Sequence, residues 1–438
     1  MLSTRGEAYA KAGLADGYLG PRNAQFDKDT KQGVVSFSNA ENFLMQDVML
    51  DYIRTQVVPS LDSTNLTYHE GPFGSTRLRA AMANLIATYF RPAMPISPEH
   101  IVFTNGVTSL NAICALSLTN PGDGILLGQP IYGSFTGDLR VPSDCQLIYT
   151  PFHGDDPFNV DAVAWYEETF VKARDELGVA IRALLICNPH NPLGRCYSRE
   201  TLVALLQFCH KYQIHLVSDE VYALSVYEES DPTGSFVSIL SIDPVPLGVD
   251  PALVHVLYGM SKDFAAAGLR LGCLISQNQR FLQAALSLSR FHWPSNVSCS
   301  IATAILEDRD FVKTFLQRSH QLLRSHRDLA ARVLEEAGIP FSKGGIHRFS
   351  VAGFFLWIDL SKCLDDAIVT SQGGWAAELD LSRRLRHTGV VMSSGYAYHN
   401  EVPGWFRVIF SVEVEGLKMG LSRIIQLYHG SGDRLVSS

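Results

Sequence analysis

The sequence predicts an α/β protein, with a large domain built on a mainly parallel β-sheet covered by helices on both faces and a smaller α+β domain after it. Three observations predict this fold. Short β-rich apolar runs alternate with helical patterns between residues 101 and 276, helical periodicity dominates from 279 to 337, and strand-like runs return beyond Gly338. Because such sheets bind ligands at the carboxyl ends of their strands, we expect the functional residues there.

The composition fits one large or two modest globular domains. The 438 residues are 46% hydrophobic and 18% charged, and 36 Lys and Arg against 44 Asp and Glu give a formal net charge of −8 without a basic run. No apolar stretch is long enough to span a membrane, and the eight cysteines form neither a Cys-x-x-Cys pair nor a metal-type cluster. We therefore expect a soluble cytoplasmic protein with buried, reduced thiols and no nucleic-acid, membrane or metal partner.

Local periodicity gives the individual elements. We predict no strong element in the first 40 residues, which are polar and glycine-rich. Strands are predicted over residues 101–105, 124–128, 145–152, 183–189, 214–220, 254–259 and 271–276, and in the small domain over 353–360, 390–394 and 406–412. Helices are predicted over residues 41–53, 76–89, 108–118, 160–175, 199–212, 279–290, 297–307, 310–337, 373–387 and 414–428.

The strongest chemical signal is the stretch from Gly259 to Gly272, in which a lysine follows a predicted strand. An ammonium group there is costly to desolvate unless it is neutralised or covalently engaged, so Lys262 is well placed to form a Schiff base. Arg270 offers a fork of donors suited to a phosphate, and Ser261 adds a hydroxyl. The alternative is a surface lysine and arginine that flank a loop.

Three further stretches place polar groups near strand ends. The proline- and glycine-containing turn at 188–194 presents Asn191, although such a turn can be purely structural. Asp219 and Tyr222 lie at the end of the next predicted strand, where a carboxylate can also be a helix cap. The segment from Gly106 to Ser109 joins a strand to a helix N-terminus, which favours a phosphate, but a lone glycine turn is weak evidence.

With these four stretches in this order, the chain resembles the fold type I pyridoxal 5'-phosphate (PLP) enzymes of the class I/II aminotransferase family, from about residue 35 to about residue 428. The resemblance implies the PLP-dependent transferase fold, with a seven-stranded-type sheet in the large domain, and PLP as the cofactor. It implies that Lys262 bonds to PLP and that Asp219 pairs with the pyridine nitrogen, where a carboxylate favours the protonated ring. The other implied cofactor contacts are Tyr222 and Asn191 at the ring oxygen, Gly106, Val107, Thr108, Ser261 and Arg270 at the phosphate, and Tyr132 stacked on the ring.

The resemblance also implies the domains and the assembly. Residues 1–60 would form an N-terminal segment that joins the small domain, 61–325 the large PLP-binding domain and 326–438 the C-terminal small domain. Sites of this fold type are built between two subunits, so a homodimer is implied. Tyr68 would reach the partner's cofactor, although its spacing from the following motif is longer than in the plant enzymes.

Within the family, the chain is most similar to 1-aminocyclopropane-1-carboxylate (ACC) synthases and ACC synthase-like proteins, which implies an amino-acid-like substrate. Arg407, on an apolar strand, would bind the α-carboxylate with its fork of donors, and a structural salt bridge is the alternative. Glu41 matches the acid that faces the substrate beyond Cα, and a first-turn helix acid is the alternative. One departure is Gly259, which replaces the hydroxyl residue usual three positions before the lysine.

The stretch from Gly71 to Ser75 is similar to ACC synthase-like enzymes of filamentous fungi, many of them associated with secondary metabolism, including gliotoxin-type pathways. Some of those enzymes resemble carbon–sulfur lyases and others are called aminotransferases, and the retained Glu41 favours a PLP-dependent lyase that deprotonates Cα and expels a sulfur leaving group. The alternatives are an aminotransferase that needs a keto-acid acceptor, ACC synthase proper, and a catalytically silent PLP-fold protein with a binding role. The retained lysine and its partners argue against the silent protein. Tyr396, Tyr398 and His399 either contact a bulky substrate or face solvent.

Overall fold

The computed structural model describes residues 1–15, 26–27, 30, 32–68, 70–227, 236–342 and 351–430. Parts of the predicted N-terminal segment and of the predicted small domain lie outside the described residues. Within the described ranges, no helix is long and apolar enough to cross a membrane. The same ranges hold no group of His, Cys, Asp and Glu side chains arranged to bind a metal ion.

The N-terminal segment is more helical than its sequence predicted. It contains α1 (Thr4–Ala15), β1 (Val35–Ser36) and α2 (Gln46–Tyr52). The prediction of no strong element was wrong at α1. Alanine-rich composition favours this helix intrinsically, while nearly all its described side chains are exposed, so it carries little apolar periodicity. The predicted helix at 41–53 starts later than expected, because residues 43–45 form a 3₁₀ turn.

The central sheet has seven strands, in agreement with the predicted sheet. They are β2 (Ile101–Thr104), β3 (Gly124–Gly128), β4 (Gln146–Thr150), β5 (Ile181–Cys187), β6 (His215–Asp219), β7 (Val254–Gly259) and β8 (Gly272–Ser276). Their spatial order is β2-β8-β7-β6-β5-β3-β4, and only β8 runs antiparallel to its neighbours. Parallel strands buried on both faces are nearly continuous apolar runs, which is why these segments show little alternation.

Helices cover both faces of this sheet, because successive strand residues point to opposite sides. The helices are α3 (Thr76–Tyr89), α4 (Val107–Leu118), the short α5 (Val141–Ser143), α6 (Val163–Asp175), α7 (Arg199–Tyr212), α8 (Gln279–Ser289) and α9 (Asn296–Glu307). Leu126 packs in the core on one face with side chains of α3, α6, α7 and α9, whereas its neighbours Ile125 and Leu127 pack on the other with α4 and α8.

The C-terminal part surrounds a second core. Its elements are α10 (Arg309–Glu336), β9 (Phe355–Asp359), α11 (Asp366–Gln372), α12 (Gly374–His387), β10 (Val390–Val391), β11 (Ser393–Ser394), β12 (Trp405–Ile409) and α13 (Val414–Gly430). Strands β11, β12 and β9 form an antiparallel sheet, and β10 pairs with β1 in parallel, so the N-terminal segment is attached to this part of the chain.

Two predictions in the C-terminal part need correction. The single strand predicted at 390–394 is two strands in two different sheets, β10 with β1 and β11 with β12. Local sequence shows an extended run but not its partners, so it cannot reveal where the run changes sheets. Helix α11 was not predicted, because none of its seven residues is buried and it therefore has no apolar stripe.

Candidate active site

A cleft of about 1100 Å³ opens at the carboxyl ends of β5, β6 and β7 and is closed on one side by the C-terminal part of the chain. The topology explains its position, since parallel strands end at one edge of the sheet and their following loops meet there. The predicted site residues that line it are Glu41, Val107, Thr108, Tyr132, Asn191, Asp219, Tyr222, Ser261, Lys262, Arg270 and Arg407.

Lys262 lies in the loop after β7. Its Nζ donates a hydrogen bond to the carbonyl oxygen of Ala40 at 2.7 Å. Burial, and then the positive charge of Arg407, lower the pKa of the Lys262 ammonium to about 8. The next residue fixes the loop, because the Asp263 carboxylate accepts hydrogen bonds from the Leu224 backbone N–H at 2.9 Å and from the Ser225 hydroxyl. A lysine with a depressed pKa on a fixed loop is suited to act as a nucleophile and base.

The acid and the phenol predicted at the end of β6 are both buried. Asp219 is 5% exposed and accepts one hydrogen bond, from the backbone N–H of Val221 at 3.2 Å. Burial raises its pKa to about 7, so a cationic partner is needed to hold it ionised. The Tyr222 hydroxyl is buried and finds no hydrogen-bond partner among the described residues, while its ring packs edge-on against Phe354 and Phe355. A buried hydroxyl of this kind indicates room for a polar ligand atom.

Arg407 is a buried cation with only neutral partners. It is 3% exposed on β12, and its Nη1 donates to the Asn191 side-chain oxygen at 2.9 Å. Its Nη2 donates to the carbonyl of Ser38, and its Nε has no partner. Among the described residues no carboxylate forms an ion pair with it, which removes the structural salt bridge left open by the sequence. An uncompensated buried guanidinium is a site for an anion.

The N-terminus of α4 and Arg270 form a cradle for a second anion. Gly106 precedes α4 with a φ of +117°, and a Cβ there would lie 2.5 Å from the Arg270 Nη2. Glycine is therefore required for the guanidinium to approach the free backbone N–H groups of the helix end. A Cβ at Gly272 would lie 2.6 Å from the Val107 nitrogen, so this strand also leaves space for the cradle.

The backbone explains the unusual glycine three positions before the lysine. A Cβ at Gly259 would lie 2.6 Å from the carbonyl oxygen of Leu271, the residue just before the adjacent strand β8. The two strands approach too closely here for a side chain. The hydroxyl expected from the family resemblance therefore has no room, and Ser261 is the serine of this loop that lines the cleft.

Two further predicted residues line the cleft with fewer contacts. Tyr132 is partly buried and packs edge-on against Phe135, with ring centroids 5.2 Å apart. Glu41 follows Ala40, the residue that binds Lys262, and its negative charge raises the lysine pKa. The described residues offer the Glu41 carboxylate no hydrogen bond or ion pair. It is free to meet a substrate.

Tyr68 lies outside the cleft of its own chain. Its side chain is 81% exposed and packs on Trp293, with ring centroids 5.2 Å apart. Its assignment to the partner's cofactor stays a prediction, since only one chain is described.

Sequence reasoning missed a partly buried polar pair in the cleft. The Asn111 side-chain amide donates to the Asp138 carboxylate at 3.1 Å, and burial raises the pKa of Asp138 to about 6. Both residues line the cleft. The sequence offered one signal for this pair, an asparagine inside the strongly apolar helix α4. No feature of the sequence around Asp138 indicated that it lines the cleft. Tyr396, Tyr398 and His399, for which the sequence left two alternatives, also line the cleft.

Pyridoxal 5'-phosphate fits this arrangement. The cradle at Gly106 and Arg270 would hold its phosphate, and Asp219 would hold its pyridine nitrogen. The unpartnered hydroxyl of Tyr222 would bind its ring oxygen, and Lys262 would bond to its aldehyde carbon. The fold and the cleft together define a class of protein, the PLP-dependent enzymes of fold type I.

Comparison with known proteins gives the family. The family described as aminotransferase class I and II matches residues 42–424, and the chain belongs to it. The probable aminotransferase gliI of Aspergillus fumigatus is 32% identical over 409 residues, which cover 93% of this chain and 92% of that protein. The 1-aminocyclopropane-1-carboxylate synthase-like protein 1 of Homo sapiens is 31% identical over 423 residues, 95% of this chain and 80% of that protein.

Solved structures agree with the fold. A mutant of Thermus thermophilus aspartate aminotransferase superposes with a TM-score of 0.72 at 19% identity, covering 98% of this chain and 99% of that one. The aromatic aminotransferase of Pyrococcus horikoshii OT3 superposes with a TM-score of 0.73 at 19% identity, covering 92% and 97%. The predicted family, fold class and PLP cofactor are thus confirmed, and the protein is an enzyme of the aminotransferase family.

Proposed function

We propose that this enzyme is a carbon–sulfur lyase that acts on an amino acid with a sulfur substituent in its side chain. The free carboxylate of Glu41 carries this proposal. It lies in the cleft one residue from Ala40, the hydrogen-bond partner of Lys262, so it is close to the base and available to the side chain of a bound substrate. Transamination at Cα alone gives such a carboxylate no role.

Arg407 would orient the substrate. Its guanidinium is buried without a counterion, and two of its nitrogens already have neutral acceptors, which fix the plane of the group. A substrate α-carboxylate would supply the missing negative charge and accept a hydrogen bond from the free Nε. Binding there presents the Cα to the lysine side of the cleft.

Lys262 would then move the proton at Cα. When bound, PLP supplies a conjugated ring that accepts the electron pair left at Cα. Asp219, ionised against the pyridine nitrogen, increases this capacity, and Asn191 and Tyr222 hold the ring in place. With its amine free, the Nζ of Lys262 would act as the base that takes the Cα proton of the bound substrate.

The leaving group distinguishes the proposed reaction. The C–S bond at Cβ breaks with its electron pair on sulfur while the pair left at Cα forms the Cα–Cβ double bond, and the departing thiolate gains a proton. Glu41 would hold the leaving group through a hydrogen bond or exchange this proton with it. For cleavage at Cβ, water then hydrolyses the unsaturated amino acid to a keto acid and ammonia, so no oxidant or reductant is needed.

Transamination is the second candidate. The names of three relatives favour it, since gliI, tcpI and sirI are each called a probable aminotransferase. The same residues would bind the substrate and remove the Cα proton, but the amino group would stay on the cofactor until a keto acid accepts it. Such a reaction releases no thiol.

Incubation of the purified holoenzyme with cysteine S-conjugates separates the two reactions. We expect equal amounts of thiol, ammonia and keto acid, with the visible absorbance of the cofactor returning without added keto acid. Glu41→Gln should reduce thiol release on the order of 100-fold, whereas Glu7→Gln, on exposed α1, should not change it. Loss of the visible absorbance that only a keto acid restores, without thiol, would identify an aminotransferase and overturn the proposal.

A further inference from the structure

Two aromatic side chains stand at the mouth of the cleft, away from the groups assigned above. Trp375, at the start of α12, and Tyr396, after β11, both line the cleft, with ring centroids 5.9 Å apart and planes at 63°. Tyr396 is 70% exposed. An exposed aromatic pair at the rim of a ligand cleft offers apolar surface that a bound group can cover.

The backbone around Tyr396 is fixed by a buried acid. Glu378 is 0% exposed, and its carboxylate accepts hydrogen bonds from the backbone N–H of Tyr396 at 2.8 Å and of Gly404 at 2.7 Å. The backbone N–H of Asn400 also donates to the Gly395 carbonyl at 3.0 Å. The exposed ring therefore projects from a held loop. Burying it would add little conformational entropy cost.

The position of the pair relates it to the substrate. Arg407 is the register partner of Ser393, three residues before Tyr396, so the Cα atoms of Ser393 and Tyr396 are at most roughly 10 Å apart. The Tyr398 ring also lines the cleft, and its centroid lies 5.1 Å from the Arg407 guanidinium carbon. A substrate whose carboxylate binds Arg407 can extend its side chain along the same wall to the cleft mouth.

We propose that Trp375 and Tyr396 form a subsite for an aromatic or other planar group at the far end of the substrate's side chain. On the proposed function, on which this inference rests, the substrate is an amino acid that carries such a group through its sulfur atom. The pair selects among amino-acid conjugates and takes no part in the proton transfer. The apolar faces of the two rings, continuous with the cleft, provide the recognition.

Binding of two conjugates to the holoenzyme tests the subsite. S-benzyl-L-cysteine and S-methyl-L-cysteine share the carboxylate, amine and sulfur, so the ratio of their dissociation constants isolates the distal group. The amplitude of the rapid change in the cofactor's visible absorbance, recorded by stopped flow before thiol is released, gives both constants. We expect the wild type to prefer the benzyl compound by about tenfold or more, and Trp375→Ala and Tyr396→Ala to remove most of that preference.

Two controls make the result specific. Tyr396→Phe keeps the ring and should keep the preference, whereas Leu379→Ala removes an exposed apolar side chain of the same helix outside the cleft and should also keep it. An unchanged preference in both aromatic-to-alanine variants would overturn the subsite. The subsite would also be overturned if Tyr396→Ala changed the sedimentation of the protein but kept the preference for the benzyl compound. The ring would then contact a second copy of the chain.

The outcome is separable from that of the proposed lyase reaction. If neither conjugate releases thiol but the preference still falls in Trp375→Ala and Tyr396→Ala, the subsite stands and the lyase assignment fails. If thiol is released while both alanine variants keep the wild-type preference, the lyase assignment stands and the subsite fails.

Discussion

Lys262 shows how one residue obtains its reactivity from its surroundings. Burial disfavours the ammonium form, and the cations Arg407 and Arg270 oppose it, while the carboxylates of Glu41 and Asp219 favour it. The balance places the pKa of Lys262 at about 8, below the ordinary lysine value of 10.5. A substantial fraction of neutral amine is therefore present near neutral pH, which an exposed lysine does not provide.

The covalent attachment of PLP to the apoenzyme should follow this pKa. Only the neutral amine of Lys262 attacks the aldehyde, so the attachment rate should rise as pH increases and level off above about pH 8. Arg407→Met removes a positive charge, raises the lysine pKa and should shift the curve to higher pH. Stopped-flow absorbance measures the rate. Arg290→Met, at an exposed position, should leave the curve in place, and a rate independent of pH from about 6 to 10 would contradict the assignment.

At the scale of elements, buried carboxyl groups hold strand ends and nearby loops together by accepting hydrogen bonds. Glu220, next to Asp219 and 0% exposed, accepts hydrogen bonds from the Ser238 hydroxyl at 2.6 Å and the Ile239 backbone N–H at 2.9 Å. Burial raises its pKa to about 8. Glu220 therefore positions the end of β6 without touching the cleft, at the cost of keeping an acid in an apolar core.

Glu220 should make the stability of the apoenzyme depend on pH. Its pKa is about 8 in the folded chain and near 4.5 when unfolded, so the folded state binds the extra proton between these values. Its stabilising contribution is full below about pH 4.5 and is lost as pH rises through about 8. Glu220→Gln resembles the protonated group. From pH 5 to 8.5 we expect its free energy of unfolding, measured in urea, to gain at least about 1 kcal/mol relative to wild type, and a constant difference would contradict this.

At the scale of the whole molecule, distant segments complete the cleft. Arg407 meets Asn191 across 216 residues of sequence, and the Ile131 backbone N–H donates to the Tyr398 carbonyl at 2.9 Å. Tyr68, in contrast, is exposed and outside the cleft of its own chain. A homodimer in which Tyr68 completes the partner's site would account for this exposed position.

Mixing two inactive variants tests the shared site. If Tyr68 acts across the interface, Lys262→Ala and Tyr68→Ala homodimers should each have low activity. Subunit exchange should then restore about a quarter of wild-type activity, because half of the dimers contain one intact site. Lys262→Ala mixed with Lys262→Arg is the control and should stay inactive. Sedimentation at the 48.3 kDa chain mass would exclude the dimer, and a dimer without recovery would exclude the role of Tyr68.

The sequence determined the elements and the chemistry at their ends. Local periodicity located α3, α7 and β7 at their observed bounds, because their apolar pattern and end signals lie within the segment itself. The residues singled out at strand ends, such as Asp219 and Lys262, line one cleft because parallel strands end at a common edge. Their individual catalytic roles stay predictions.

Only the tertiary structure decided which distant groups meet. It placed β8 antiparallel between β2 and β7, and it divided the run at 390–394 between two sheets. It also paired Asn111 with Asp138 and left Arg407 without a carboxylate partner among the described residues. A local pattern encodes whether a residue is buried, whereas its contacts depend on which faces of distant segments pack together, and that information is spread over the whole chain.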